Sequence, residues 1–315
     1  SLNRMGYYIY SYRHFSSRIK GGHTNDKVRI ITEPKSASAD YLDILVAFDQ
    51  ETIDLNAGEL REGGIVIADA KFNPKLPNEV AANVTLVAMP FTKIAEEHGA
   101  VIMKNMVALG ATARLVGLDV DFCAPVLQSR FGKKSQKIVD QNLAAIKAGF
   151  DAMSTEQIDF AAFQLAPPVP DKHLLMIGND AIAFGALAAG ARVMPAYPIT
   201  PASDVMEYLI KKLPKVGGVV VQTEDEIAAL NMTIGAAYSG ARALTATSGP
   251  GLSLMMEALG LAGMTETPVV IVDTQRGGPS TGLPTKHEQS DMYAVLFGNH
   301  GEIGKIVLTP STPEE

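Results

Sequence analysis

The 315-residue sequence holds one cysteine and no tryptophan. A lone thiol, Cys123, excludes an internal disulfide. It also excludes a four-cysteine iron–sulfur or zinc site built by this chain alone. Charged residues are scarce at 19%, and the net charge is −7. That sign argues against a general nucleic-acid or membrane-surface binder. No apolar run approaches the ~18 residues of a membrane-spanning helix, and no signal peptide is visible. These absences place the chain in the cytoplasm. Familiar site signatures are missing as well. The run Gly277-Gly278-Pro279-Ser280-Thr281-Gly282 has the wrong spacing for a dinucleotide fingerprint, and no GxxxxGK[ST] occurs. The six histidines are scattered without metal-ligand spacing, and no local context supports a Ser–His–Asp order.

Hydrophobic residues make up 47%, enough for a sizeable core and against disorder. The 13 methionines read as packing chemistry. The length suggests about two domains of roughly 100–200 residues. The expected division is an α/β domain over 1–162, a connection over 163–172 and a second domain over 173–315. The connection, FQLAPPVPDK, carries Pro167, Pro168 and Pro170, which cannot continue a helix and favour a stiff, extended path. A proline-rich loop inside one domain is the plain alternative.

In the first domain, strands are expected at Tyr7–Arg13, Lys27–Thr32, Tyr41–Phe48, Ile65–Ala68 and Val84–Met89. A short helix is expected from Asp49, and longer ones over Lys93–Val116 and Ala124–Ala152. The segment between the first two strands, His14–His23, reads as a turn-rich loop with room for one helical turn. Residues 1–35 carry Arg4, Arg13, Arg18, Lys20, Lys27, Arg29 and Lys35 against Asp26 and Glu33. A solvated surface explains this, and so does a site for phosphate or an acidic partner.

The second domain alternates helix and strand, as a parallel α/β sheet does. Asn179 is an N-cap candidate. Thr200-Pro201 reads as a capping hydroxyl followed by a first-turn proline. Strands are expected at Arg192–Tyr197, Val219–Val221, Ala243–Ser248, Val269–Thr274 and Ile303–Leu308, and a helix over Ser290–Phe297. The apolar start of Val269–Thr274 reads as a strand buried on both faces. Polar groups follow four of these strands: Tyr197-Pro198-Ile199-Thr200-Pro201, Glu224-Asp225-Glu226, Thr247-Ser248-Gly249-Pro250-Gly251, and the loop from Arg276 to Lys286. Each has a plain reading alone: a helix cap, a charged first turn, a tight connection, a solvated loop arginine. Together they stand where ligands bind in open α/β sheets, outside the carboxyl ends of the strands.

Taken together, GNDAIAFGALAAGARVMPAYPITPASDVMEYL and the run from EDEIAAL to PTKHEQSD resemble the alpha subunit of 2-oxoacid:ferredoxin oxidoreductases. GYYIYSYRHFSSRIKGGH and RFGKKSQKIVDQNLAAIKAGF are similar to that family's gamma subunit. The resemblance implies a gamma-type α/β domain followed by a thiamine diphosphate-enzyme pyrimidine-type domain with a mainly parallel sheet. The family's gamma domains begin with a strand and a glycine-rich turn, and its alpha subunits continue past the TPSTPEE region, so an internal piece of a longer subunit is expected.

The implied activity is oxidative decarboxylation of a 2-oxoacid with coenzyme A to an acyl-CoA, electrons passing to ferredoxin. Thiamine diphosphate is shared with a beta subunit, which carries the Mg²⁺ and an iron–sulfur cluster; this chain has no GDG…N motif. An oligomer is implied. By position, Glu226 resembles the glutamate that hydrogen-bonds the aminopyrimidine ring, where protonation favours the imino tautomer; Glu224 is the alternative. Ser248 and Gly249 fall on the cofactor side. Thr200 and Arg276 match positions near the substrate carboxylate, which suits a guanidinium fork. Thr285, across a glycine-rich loop that could fold back, is a candidate for the substrate's tail. Two other readings remain: a thiamine-dependent decarboxylase or transketolase-like subunit without electron transfer, and a non-catalytic scaffold.

Overall fold

The structure, a computed structural model, describes residues 2–17, 21–133, 135–171 and 173–315. Arg18 and Lys20 of the basic segment and Lys172 of the proline-rich connection lie outside the described residues. The chain divides into two compact units, residues 1–13 with 26–174, and residues 14–25 with 175–315.

The first unit is built on three parallel strands, β3 (Leu42–Ala47), β4 (Leu60–Asp69) and β5 (Thr85–Met89), in the order β3-β4-β5. The central strand β4 is continuously buried from Ile65 to Asp69. Its period-two alternation feeds two cores. Ile65 and Ile67 pack with α2 (Phe91–Glu97), α3 (Lys104–Leu115) and α5 (Gln136–Met153), whereas Val66 and Ala68 pack with α1 (Gln50–Asn56). Helices on both faces explain why these strands read as apolar runs. Asp49 caps α1, its Oδ1 accepting from Thr52 N at 2.8 Å. Helices α3 and α5 cross with their backbones in contact: a Cβ on Gly110 would overlap the Ile146 carbonyl, and one on Gly149 the Val107 carbonyl.

The expected helix over Lys93–Val116 is two helices, because Gly99 takes φ +136° and ends the first. The expected helix over Ala124–Ala152 is likewise two: it is interrupted after Gly132, the C-cap of α4 (Ala124–Phe131), before α5, whereas Pro125 does not break it and sits in the first turn of α4. Strands β1 (Tyr8–His14) and β2 (Asn25–Ile31) form a separate pair. No helical turn occurs among the described residues of the segment between them. Cys123 is buried, and burial pushes its thiol pKa up, which suits packing rather than reactivity. The proline-rich stretch is tied to the first unit: Leu165 N donates to Val116 O at 3.1 Å, Tyr7 Oη to Ala166 O at 2.9 Å, and His173 N to Asn3 O at 3.0 Å.

In the second unit, β6 (Val193–Ala196) pairs in parallel with β7 (Val219–Gln222), and β8 (Leu244–Thr247) with β9 (Val270–Asp273). A parallel bridge from Val193 to Ala243 joins the pairs in the order β7-β6-β8-β9. Helices α6 (Gly178–Ala188) and α7 (Ser203–Lys212) pack with Met194, Ala196, Leu244 and Ala246. Helices α8 (Glu226–Tyr238) and α9 (Gly249–Met264) pack on each other through Leu230, Ile234, Met255 and Ala258. A short α10 (Met292–Phe297) follows.

Four expectations are corrected here. Asn179 lies inside α6, whose cap is Ile177; its Nδ2 donates instead to Pro201 O at 2.9 Å. Thr200-Pro201 does not open α7, which starts at Ser203; the two residues form the preceding turn, with the Pro201 carbonyl held by Asn179. Strand β9 is not buried on both faces: it is the edge strand among the described residues, Val270 is exposed, and Ile271, Val272 and Asp273 are only half-buried. Residues 303–308 are not a strand. The stretch finds no ladder partner, and Ile306 and Leu308 are exposed.

Candidate active site

Because β6, β7, β8 and β9 run parallel, their carboxyl ends fall on one edge of the sheet. Backbone bonds extend the order past the strands: Thr223 N donates to Ala196 O at 3.0 Å, and Thr274 N to Thr247 O at 2.9 Å. The four polar strand-end groups therefore converge.

Glu226 is the first residue of α8 and is buried, whereas Glu224 is exposed. Asp225 caps the helix, its Oδ1 accepting from Ala228 N at 2.7 Å. The Glu226 side chain rests against the first turn of α9. A Cβ on Gly251 would stand 2.8 Å from Glu226 Oε1 and 2.7 Å from its Cγ, and would overlap Thr247 Oγ1. Glycine at 251 is thus what makes room for this carboxylate. Among the described residues no protein donor holds it. Ser248, the N-cap of α9, is fully buried, and its hydroxyl has no partner among the described residues.

Arg276 is buried at 7% exposure. Its Nη1 donates to Thr200 O at 2.7 Å and its Nη2 to Thr281 O at 3.0 Å, while Nε is shielded and has no partner among the described residues. Among the described residues it makes no ion pair. The structure thus brings Arg276 and Thr200 together through the Thr200 carbonyl, and the Thr200 side chain is exposed. The loop folds back: Gly277 N donates to Lys286 O at 2.9 Å, and Leu283 N to Gly277 O at 2.8 Å. Thr285 faces the segment 14–25 of its own unit, its Oγ1 donating to Phe15 O at 2.9 Å with Ser17 Oγ at 3.0 Å.

Sequence reasoning missed two groups. Asp273 ends β9, and Asp291 caps α10. Both Asp291 carboxylate oxygens lie 2.7 Å from where a Cβ on Gly249 would stand. Burial, then the Asp291 charge, pushes Asp273 up to about 7. A carboxylate at a strand end beside a Gly-Pro-Gly turn was the available signal; both residues read instead as strand and helix ends. The expected cofactor-side residue Gly249 is therefore packed against Asp291.

Residues 1–152 match the pyruvate ferredoxin/flavodoxin oxidoreductase family, and residues 184–315 the thiamine diphosphate-binding region of pyruvate flavodoxin/ferredoxin oxidoreductases. The alpha subunit of a 2-oxoacid:ferredoxin oxidoreductase from Sulfolobus sp is 36% identical over 96% of this chain and 55% of its own length. The chain belongs to the 2-oxoacid:ferredoxin oxidoreductase family. The 2-oxoglutarate synthase subunit KorA of Methanothermobacter thermautotrophicus is 56% identical over 44% of this chain and 37% of its own length. The structure of the 2-oxoglutarate:ferredoxin oxidoreductase from Magnetococcus marinus, with 2-oxoglutarate, coenzyme A and succinyl-CoA bound, is 40% identical. It superposes with a TM-score of 0.88 over 95% of this chain and 52% of that one. The chain thus spans about half the length of the family relatives that it matches along nearly its whole extent. Its two α/β units carry the gamma-type and thiamine-type domains of the family. Among the described residues no helix is long and apolar enough to cross a membrane, and no cluster of three or more His, Cys, Asp or Glu could hold a metal ion.

Proposed function

We propose that this chain is the alpha-type, gamma–alpha fused part of an enzyme that converts a 2-oxoacid and coenzyme A to acyl-CoA and CO₂, passing the electron pair to ferredoxin. The carrying observation is Arg276. Burying a guanidinium without a carboxylate is costly, and backbone carbonyls neutralise none of its charge. A bound carboxylate would supply the missing anion and accept from Nε. Thr285 and the exposed Thr200 are the further candidates for contacting the substrate.

The residues present fit thiamine diphosphate on its pyrimidine side. Glu226 is a buried carboxylate with room made for it by Gly251, and Ser248, next to Gly249 in sequence, offers a buried hydroxyl with no partner among the described residues. Bound there, thiamine diphosphate would supply the carbon nucleophile and accept the electron pair left by decarboxylation. Glu226 would hold a proton at its carboxylate against a ring nitrogen, and α8 and α9 would keep water from it. A beta subunit holding the diphosphate, Mg²⁺ and an iron–sulfur cluster completes the proposed enzyme, which is oligomeric and cytoplasmic. The test is an assay of the assembled enzyme with 2-oxoacid, coenzyme A and oxidised ferredoxin. Coenzyme A-dependent ferredoxin reduction with acyl-CoA formation is expected. Decarboxylation without electron transfer would replace this reading with a simple thiamine-dependent decarboxylase.

A further inference from the structure

The loop that presents Arg276 and Thr285 leaves the sheet at Asp273 and rejoins helical structure at Asp291. Both ends of its neck carry a carboxyl group. Both oxygens of Asp273 and Oδ2 of Asp291 are shielded from water, and among the described residues no protein donor reaches any of the three. Asp273 pairs in register with Thr247, two residues before Gly249, and the Asp291 carboxylate packs on Gly249, so both carboxyl groups belong to the same β8–α9 turn, where each acts on the other's titration. Two carboxylates only accept, so a hydrogen bond between them requires a shared proton. We propose that Asp273 and Asp291 share one proton, and that this pair latches the neck of the 274–290 loop and so positions Arg276. The importance of Arg276 rests on the substrate reading above; the latch itself does not.

Three features support the latch. Asp291 N donates to Gln275 Oε1 at 2.9 Å, a second tie across the same neck, next to Arg276 in sequence. The Asp291 carboxylate lies against Gly249, where a Cβ would stand 2.7 Å from both its oxygens. Gly249 opens the 16-residue helix α9, whose N-terminal partial charge favours the single negative charge of a half-protonated pair. Losing the shared proton would set two like charges side by side away from water.

Few other charges act on the pair. The 274–290 loop brings Glu288, whose charge adds to the burial that pushes Asp291 up. The end of β8 and the first turn of α9 bring only Thr247, Ser248, Gly249, Pro250 and Gly251. From α6 comes the neutral Asn179, whose Oδ1 accepts from Thr274 Oγ1 at 3.5 Å and whose Nδ2 lies 3.5 Å from Asp204 Oδ2.

The test is amide hydrogen exchange in the purified protein without substrate, read at Gly277 and Leu283 and divided by the intrinsic rates at each pH. Loop closure binds a proton between the ordinary Asp value, about 3.9, and the Asp273 value of about 7. Protection should therefore fall by roughly ten- to a hundredfold from pH 5 to 7.5 and then level off. Asp273→Asn supplies a permanent amide donor to Asp291, so its loop should stay protected and lose the pH dependence. Unchanged protection in the parent protein across that range would overturn the latch. So would an Asp273→Asn profile matching the parent's. Because no substrate is present, a silent Arg276 in kinetics would leave this result intact, and the reverse also holds.

Discussion

Arg276 Nη1 donates to the backbone carbonyl of Thr200 at 2.7 Å, across 76 residues of sequence. The bond joins the end of β6 to the loop after β9 and fixes the guanidinium plane at the sheet's carboxyl edge. A hydrogen bond to a charged group contributes roughly 1.5–3 kcal/mol. At about 1.4 kcal/mol per factor of ten, Arg276→Ala should lower kcat/KM for the 2-oxoacid by roughly ten- to a hundredfold in the assembled enzyme. Arg276→Lys keeps the charge but not the fork, so it should recover only part of the loss. A kcat/KM within about twofold of the parent for Arg276→Ala would remove this residue from the site.

Glu226 and Glu224 are separated by burial. Glu226 is 6% exposed and seated against Gly251, while Glu224 is exposed. Glu226→Gln keeps the shape and loses the acid, so it should abolish most activity while thermal unfolding stays near the parent's. Glu224→Gln should be close to silent. The opposite pattern in steady-state rates would move the role to Glu224.

The first unit's central strand was legible because parallel strands covered on both faces must be apolar, as Ile65–Ala68 is. The convergence at the site was legible for the same reason: parallel strands put their following loops on one edge. What stayed hidden depended on neighbours far away in sequence. Nothing in the Ile303–Leu308 pattern says that no partner strand is available, and nothing around Val270 says that it sits at an edge. Nothing in the sequence around Thr200 says that its carbonyl accepts from Arg276, 76 residues away. The Asp273–Asp291 pair joins residues 18 positions apart across a loop, a spacing to which no local periodicity points.

Two glycines of α9 should respond oppositely to alanine. At Gly251 a Cβ would overlap Thr247 Oγ1 and press on Glu226, so Gly251→Ala should cost roughly 1–3 kcal/mol through overpacking. It should also disturb activity by displacing the carboxylate. At Gly260 a Cβ meets nothing within 4 Å. Gly260→Ala in the same helix should stabilise by about 0.5–1 kcal/mol. Denaturant midpoints of the two variants decide, and a Gly251→Ala protein as stable and active as its parent would contradict the seating described for Glu226.

The connection between the units should be cut first just after the proline-rich stretch. Leu165, Ala166 and His173 are pinned within the first unit by Val116, Tyr7 and Asn3, so the backbone at these residues resists a protease. Leu174, Leu175 and Ile177 are exposed and outside any helix or strand. Limited proteolysis followed by mass spectrometry should find the earliest cleavage within 174–177. Earliest cleavage inside 153–163 or within α8 and α9 would contradict this placement.

Asp273 also predicts how global stability varies with pH. Its folded pKa is raised to about 7, with burial the main cause and the Asp291 charge next, against about 3.9 for an unfolded aspartate. The folded state therefore binds more protons than the unfolded one between those values. Its contribution is fully present below about pH 4 and is lost as pH rises through about 7. A shift of this size is worth roughly 2–4 kcal/mol at about 1.4 kcal/mol per pKa unit, reduced for the part of the side chain that water reaches. Carboxylates elsewhere that ionise favourably in the fold act with the opposite sign, so the difference between proteins is the informative quantity. The Tm of Asp273→Asn minus that of the parent should rise by several degrees from pH 5 to 7.5 and be constant above that. A difference that does not change with pH would mean that Asp273 is ionised in the fold throughout this range.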